Sequence, residues 1–288
     1  MPAMNSATTR VPATTANLGP GFDCLGVALN IANRVTIRRS AASEHPPIVS
    51  DAAKLFFDTA HVAPFDFDWK ITGDVPQSRG LGSSVTVRLG VLHGLNALSA
   101  AKQSATQLYE LCAHLEGHPD NAAPAAFGGF TVARAGAETL RCEVGPELKF
   151  VLLIPDFEVS TPEARKILPD SIPRRGAVMS VANACRITAA FMQRRYDLLR
   201  GCFADGLHQP FRAPLVPLLP KAFAAGEKAG ALGGFLSGSG STICCIALGD
   251  AEAVASAMLE TAPPGSHVVI TTADNEGVRP IENEDGIS

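Results

Sequence analysis

The 288-residue chain predicts an α+β fold in two domains. Three observations carry this. Stretches of period-two apolar alternation and stretches of helical periodicity follow one another along the whole length. A turn-rich patch at Gly145-Pro146 separates two halves whose elements run in different orders, with no repeat of fixed period. The composition, 46% hydrophobic and 18% charged, is enough to bury a sizeable core in each half. The expected domains are residues 1–146 and 147–288.

Residues 1 to 7 read as a disordered start. Val11 to Asp23 is dense in turn residues, and Gly19, Pro20 and Gly21 predict a tight, shaped loop flanked by Asn17 and Asp23. Val27, Leu29 and Ile31, then Val35 and Ile37, alternate as strands do. Arg38 to Pro47 is polar and turn-rich, and Ala52 to Ala60 reads as a short helix. Phe67, Trp69 and Ile71 alternate again. This strand leads into Pro76-Gln77-Ser78-Arg79-Gly80-Leu81-Gly82-Ser83-Ser84-Val85-Thr86, which opens a helix running to Leu98. A second helix, Ala105 to Leu115, stops at Gly117 and Pro119. Ala122 to Phe127 is a short helix, and Phe130 to Arg134 a strand.

In the second half, Phe150 to Ile154 reads as a buried strand ended by Pro155. Ser160-Thr161-Pro162-Glu163 has a hydroxyl cap, a proline at the first helical position and an acid in the first turn. Val178 to Leu199 reads as one long helix with Val181, Cys185, Thr188 and Met192 on one side. His208 to Arg212 is a polar turn. Leu215 to Ala229 mixes turn and helix. Gly233 to Ser241 is a second glycine–serine loop, followed by a strand from Thr242 to Leu248, a helix from Asp250 to Thr261 and a strand from Val268 to Thr271. The acidic end, from Asn275, reads as loose.

Net charge is −4 and no basic run appears, which argues against a nucleic-acid partner. No stretch of 18 or more apolar residues predicts a membrane span, and no apolar leader predicts secretion. The seven cysteines are scattered and apolar-flanked, with no Cys-x-x-Cys pair. They predict buried, reduced thiols and hence a cytoplasmic protein.

The chemistry starts at the Pro76–Thr86 loop. Its glycines free the backbone so that successive N–H groups can converge, and the following helix adds its unpaired first-turn N–H groups and dipole. That is a phosphate cradle. It is neither a P-loop, since no Lys-Ser or Lys-Thr follows the glycines, nor a Rossmann turn, since Thr86 stands at the third glycine position. Taken alone, it serves equally well as an ordinary glycine-rich turn capped by serine. Glu116-Gly-His-Pro-Asp-Asn121 crowds four polar or ionisable side chains after a helix, either as a solvated turn or as part of a site.

Together, Val11 to Asp23, Pro76 to Thr86 and Gly233 to Thr242 resemble the GHMP kinases, whose ATP loop reads Pro-x-x-x-Gly-Leu-Gly-Ser-Ser. Within that superfamily the chain is similar to the homoserine kinase branch. The resemblance rests on Pro12 to Asp23, Glu116 to Pro124, Ser160 to Arg165 and His208 to Arg212, and spans about residues 8 to 272. It departs in four places. Val85 and Thr86 replace the usual alanines, Ser241 replaces a proline, Lys54-Leu55 stands where relatives carry Asn-Leu, and the segment before it is short.

The resemblance implies an N-terminal ribosomal-protein-S5-domain-2-like domain and a C-terminal ferredoxin-like domain with the active site between them. It also implies ATP, Mg2+, a homodimer and a place in threonine biosynthesis. The eleven residues Pro76 to Thr86 would hold the nucleotide, and Ser84 and Glu116 the metal. For a small zwitterionic alcohol such as L-homoserine, Arg165 and Arg212 suit the carboxylate, because a guanidinium grips it in a bidentate way. Asp23 suits the ammonium. Asn17 and Asn121 suit neutral groups, with Asn121 nearest the hydroxyl, and Thr161 completes the substrate set. Asn121, Arg165, Ser84 and Glu116 form the catalytic set. No strong general base is expected. Asp120 is the main rival for that role and His118 a weaker one. Counting back from Gly128-Gly129 aligns the aspartate base of mevalonate kinase relatives better with Asn121. A GHMP kinase for another small alcohol and a non-catalytic metabolite-binding homologue are the alternative functions.

Overall fold

The structure is a computed structural model in which residues 5–41 and 43–282 are described. A six-stranded sheet is built from β1 (Ser6–Ala16), β2 (Leu25–Arg39), β3 (Phe67–Gly73), β4 (Phe130–Val132), β5 (Leu140–Cys142) and β10 (Arg279–Ile281). Its order is β10-β1-β2-β4-β5, with β3 also paired to β2. Helices α1 (Pro47–Ala60), α2 (Ser83–Leu98), α3 (Ala105–Glu116) and α4 (Ala122–Phe127) complete the first half. Leu89, Leu92 and Leu95 of α2 and Phe56 of α1 are buried in one cluster with Val35 and Ile37 of β2. This is the hydrophobic reason that the alternating residues of β2 face the helices.

The second half contains β6 (Lys149–Ile154), α5 (Thr161–Lys166), α6 (Arg174–Met192), α7 (Gln209–Arg212), α8 (Leu219–Lys228), β7 (Gly233–Leu236), β8 (Ile243–Ala247), α9 (Ala251–Leu259) and β9 (His267–Thr271). Its sheet runs β7-β8-β6-β9, all antiparallel. Counting strands in chain order, this is the ferredoxin-like arrangement expected of a β-α-β-β-α-β unit. Val151 and Leu153 pack towards α8 and α9, while Phe150, Leu152 and Ile154 face the other way and join Val27, Leu29 and Phe130 of the first sheet. Burial on both faces explains why β6 and β8 read as continuous apolar runs rather than alternating ones. The second of these clusters spans both halves and includes a face-to-face Phe130–Phe191 stack at 4.3 Å.

Several elements differ from the sequence expectation. Val11 to Ala16 is strand, not loop. Its β-branched residues complete β1, and only residues 17–24 turn. The expected disordered start covers residues 1–7, yet Ser6 and Ala7 belong to β1. Residues 1–4 lie outside the described residues, as does residue 42 within the polar stretch before α1. That helix starts at Pro47, because proline suits a first helical turn. α6 ends at Met192, where Arg194 takes a left-handed conformation, φ 53°. A 3₁₀ turn over Tyr196–Leu199 then buries Tyr196, whose hydroxyl accepts from the Gly145 N–H at 2.7 Å. His208 to Arg212 is not a plain turn, since α7 begins at Gln209. Gly233–Leu236 is strand β7 rather than loop, and β5 had no sequence signal.

The acidic end is not loose from Asn275. β10 pairs antiparallel with β1, and Asp274 accepts from the N–H groups of Glu276 and Gly277 and pairs with Arg10 and Arg279. Residues 283–288 lie outside the described residues. Of the cysteines expected to be buried, Cys24 and Cys185 are exposed and Cys142 is half-buried. The other four are buried, and all seven are free thiols. Among the described residues, no helix is long and apolar enough to cross a membrane.

Candidate active site

A cleft of about 980 Å³ runs between the two halves, lined by residues of both. Its floor is the glycine loop. Gly80 and Gly82 have φ of 73° and 69°, and Gly82 is the N-cap of α2. A Cβ on Gly82 would lie 2.1 Å from Thr14 Oγ1, and one on Gly80 would lie 2.2 Å from the Ser237 carbonyl oxygen. Only glycine combines that backbone conformation with that approach. The loop is pinned from both sides. The Thr14 N–H donates to the Leu81 carbonyl at 3.1 Å, the Ser237 hydroxyl to the Gly80 carbonyl at 2.7 Å, and the Thr242 N–H to the Arg79 carbonyl at 3.2 Å. The second glycine–serine loop thus braces the first.

Of the eleven loop residues, Gln77 to Gly80 and Gly82 to Ser84 line the cleft. Leu81, Val85 and Thr86 do not, because all three are fully buried. The Thr86 hydroxyl accepts from Asn33 Nδ2 at 2.8 Å and donates to the Ser83 carbonyl at 2.7 Å. Pro76 is likewise outside the lining. Lys54, flagged near the family's Asn-Leu position, is exposed on α1 and does not reach the cleft. The apolar end of the cleft is made instead by Pro46, Ile48, Trp69 and Ile71.

At the head of α2 the Ser84 hydroxyl donates to Glu116 Oε2 at 3.0 Å, and Arg88 Nη1 meets Glu116 Oε1 at 2.5 Å. Arg88 was missed from the sequence. Its signal was present, since Arg88 lies four residues after Ser84 and hence on the same helix face. Thr14 was also missed. Its hydroxyl donates to Asn121 Oδ1 at 2.7 Å, leaving the Asn121 Nδ2 donors for the cleft and for a long contact of 3.4 Å to Asp120 Oδ1.

Asp120 is buried. Its Oδ1 accepts from the Asn121 N–H and sits 2.7 Å from His118 Nδ1. Burial presses the His118 pKa down, but the hydrogen bond and the charge of Asp120 outweigh it, and the net shift is upward. Asp23, His118 and Asp120 present one ligand atom each within 4.8 Å of one another.

The other wall carries the charged groups. Asn17 and Asp23 both adopt left-handed conformations, φ 71° and 57°. Asn17 donates to the Gly238 carbonyl and accepts from the Asp23 N–H, both at 3.0 Å. Arg165 grips Asp23 through two hydrogen bonds of 2.7 and 3.1 Å. These two groups, assigned from the sequence to opposite ends of a substrate, therefore hold each other. Thr161 Oγ1 lies 3.3 Å from Ser239 Oγ. Arg212 is only 2% exposed, with Nε donating to the Ala164 carbonyl at 2.9 Å and Nη1 to the Gly238 carbonyl at 3.1 Å. Burial and then the neighbouring Arg165 charge bring its pKa down to about 10, so it is cationic at neutral pH. The Phe22 ring sits under both guanidinium groups, at 5.1 Å from Arg212 and 5.5 Å from Arg165.

The two halves that line this cleft each match a known family pattern. Residues 47–129 match the model of the GHMP kinases N terminal domain and residues 187–263 that of the GHMP kinases C terminal domain. The chain is 38% identical to the homoserine kinase of Clostridium botulinum (strain Eklund 17B / Type B) over 82% of its own length and 85% of that protein's.

The chain belongs to the GHMP kinases.

This GHMP kinase is also 37% identical to the homoserine kinase of Moorella thermoacetica, covering 86% of itself and 90% of that protein. Among solved structures, that of homoserine kinase from Cytophaga hutchinsonii superposes with a TM-score of 0.88 at 27% identity, over 98% and 99% of the two chains. A mevalonate kinase structure shares the two-domain fold, with a TM-score of 0.71 at 14% identity.

Proposed function

We propose that this GHMP kinase transfers the γ-phosphoryl group of ATP to the side-chain hydroxyl of L-homoserine, forming O-phospho-L-homoserine and ADP as a step of threonine biosynthesis. Two features carry this assignment: the two cationic side chains, one of them almost fully buried, and their place in the same cleft as the phosphate cradle. A buried guanidinium with an uncommitted nitrogen is costly unless a carboxylate completes it. An isoprenoid alcohol offers no such group. Relatives named homoserine kinase cover most of the chain.

In this mechanism the nucleotide base lies at the apolar end against Trp69 and Ile71, and the triphosphate lies on the Gly80–Ser84 N–H groups. The Ser84 hydroxyl and the Glu116 carboxylate fit a magnesium ion, since both are hard oxygen ligands and their oxygens are 3.0 Å apart. Bound there, the ion would neutralise phosphate charge. Arg212 and Arg165 take the substrate carboxylate. Asp23, with one face on Arg165, takes the ammonium, and the Asn121 amide orients the hydroxyl.

No side chain is needed as a strong base. Phosphoryl transfer passes through a loose transition state, in which the attacking hydroxyl needs little prior deprotonation. Asp120 is already engaged by His118 and the Asn121 N–H. A homodimer working in the cytoplasm accords with the same assignment.

A coupled ADP-release assay over a panel of small alcohols, with the product identified by ³¹P NMR, tests the proposal. L-homoserine should give the highest kcat/KM and a phosphomonoester product. A higher kcat/KM for mevalonate or a sugar would transfer the assignment to another GHMP activity. ADP release with no acceptor dependence, or none at all, would leave a metabolite-binding homologue.

A further inference from the structure

His208, the residue just before α7, is completely buried, yet both ring nitrogens have partners. Nε2 lies 2.8 Å from the Gly19 carbonyl oxygen and 3.5 Å from Asp205 Oδ2, while Nδ1 lies 3.3 Å from Arg212 Nη1. A carbonyl can only accept and a guanidinium can only donate. Nε2 therefore carries the proton and Nδ1 the lone pair, which is one defined tautomer. Burial lowers the pKa of the ring to about 4, with the Asp205 charge opposing the shift and the Arg212 charge favouring it. The lone pair thus persists at neutral pH.

The ring is also clamped in place. It stacks on Phe22 with centroids 5.1 Å apart, and Asp205 fixes its backbone by accepting from the N–H groups of Leu207, His208 and Gln209. On Arg212, Nε is committed to Ala164, and Nη1 is shared between Gly238 and His208. Among the described residues, Nη2 has no hydrogen-bond partner.

We propose that His208 is a positioning residue for amino-acid recognition. Its Nδ1 lone pair holds the Arg212 fork so that Nη2 is presented to the substrate carboxylate. Its Nε2–H ties the same ring to the loop that carries Asn17 and Asp23. The carboxylate donor and the ammonium acceptor are thereby kept at one separation, which selects an α-amino acid head group. The inference rests on the assignment of Arg212 to the homoserine carboxylate.

The two contacts can be removed one at a time. Glutamine reaches the Nε2 position and retains a donor to Gly19 but offers Arg212 no acceptor. Asparagine places its amide oxygen near the Nδ1 position and retains that acceptor. His208→Gln should raise KM for L-homoserine by about tenfold or more, as loss of a hydrogen bond to a charged group does, with KM for ATP unchanged. His208→Asn should keep KM for L-homoserine within about threefold. Equal KM values for L-homoserine in the parent and a folded His208→Gln would overturn the inference, as would a parallel rise in both substrates' KM.

Arg212→Leu serves as the reference. If it leaves KM for L-homoserine unchanged, the carboxylate assignment itself is wrong. If it raises that KM and His208→Gln does not, only the role of His208 fails. Should the glutamine variant not fold, long-range ¹H–¹⁵N NMR of the ¹⁵N-histidine parent decides, with His208 assigned by its absence in His208→Asn. A neutral Nε2–H ring at pH 7 supports the proposal, and an imidazolium or an Nδ1–H ring contradicts it.

Discussion

The two walls of the cleft solve opposite problems by opposite means. The nucleotide wall is made of backbone: Gly80 and Gly82 in left-handed conformations, the head of α2, and braces from Thr14 and Ser237. Its positive potential comes from N–H groups and a helix dipole, no lysine stands in the loop, and its two cleft-lining guanidinium groups, Arg79 and Arg88, are each paired with a carboxylate, Glu158 and Glu116. The acceptor wall is made of side chains: Arg165, Arg212, Asp23 and Asn17, drawn from segments far apart in sequence, with Arg165 paired to Asp23 and both Arg212 and Asn17 donating to the Gly238 carbonyl. A backbone cradle suits a polyphosphate, whose charge is spread over many equivalent oxygens. Charged forks suit an acceptor that must be told from its neighbours, because bidentate and buried ion contacts discriminate strongly.

The comparison predicts that the two walls fail differently when altered. The largest effect is expected at their junction. Ser84→Ala leaves the cradle's N–H groups in place but removes a hydroxyl from Glu116 and from the proposed metal site. It should lower kcat by at least about 100-fold with little change in protein stability. Steady-state kinetics with a thermal-melt control measure this, and kcat within about twofold of the parent would rule Ser84 out as a ligand.

How much of each wall was legible follows from the same contrast. The nucleotide wall is local. Pro76 to Thr86 could be read as an anion cradle because the glycines, the cap and the helix are contiguous. Even so, contiguity overstated the contact. Leu81, Val85 and Thr86 turn into the core, and only tertiary packing shows that: Val85 joins Val11 and Val35, Leu81 joins Ala13, Leu18 and Val27, and Thr86 is held by Asn33. Asp23, Arg165 and Arg212 could be named from their blocks, but not the Asp23–Arg165 pair, which spans 142 positions. The burial of Arg212 under Phe22 was likewise hidden.

In the fold, the ferredoxin-like half was legible because β6, β8, α9 and β9 carry strong patterns. β7 was hidden because Gly233-Gly234 reads as loop until Phe203, Phe223 and Cys245 are seen packed where their Cβ atoms would stand. β10 was hidden because three residues offer too short a pattern, and its pairing with β1 is held by Asp274.

A smaller effect is expected at Asp120, between the walls. Asp120→Asn should keep both KM values close to the parent's and lower kcat by less than about tenfold, since a required base is normally worth 10²–10⁴. A folded variant that loses more than about 100-fold in kcat, together with the acidic limb of the kcat profile, would make Asp120 the base.

The smallest kinetic effect is expected away from both walls. At Asp274, burial alone would raise the carboxyl pKa, but the Glu276 and Gly277 N–H groups and Arg10 outweigh it and the net shift is downward. A depressed folded-state pKa contributes stability that is present above the ordinary aspartate range and lost as pH falls through the folded value. Asp274→Asn should therefore leave kcat and both KM values unchanged and cost about 1–3 kcal/mol of stability at pH 7. The gap to the parent should begin to narrow below about pH 4 and close only below the depressed folded value. Chemical denaturation at pH 7 and about pH 2 checks this, and a pH-independent gap would contradict it.

The central claim is that acceptor choice lies in the charged forks and not in the cradle. Its most direct test is to measure kcat/KM for L-homoserine and for homoserinol, which lacks the carboxylate, in the parent and in Arg212→Leu. The parent should favour L-homoserine by about 30-fold or more, the lower end of what loss of one partner of a buried charge pair costs. Arg212→Leu should reduce that preference to a few-fold while KM for ATP stays constant. Equal use of the two acceptors by the parent, or a preference that survives intact in Arg212→Leu, would contradict the account.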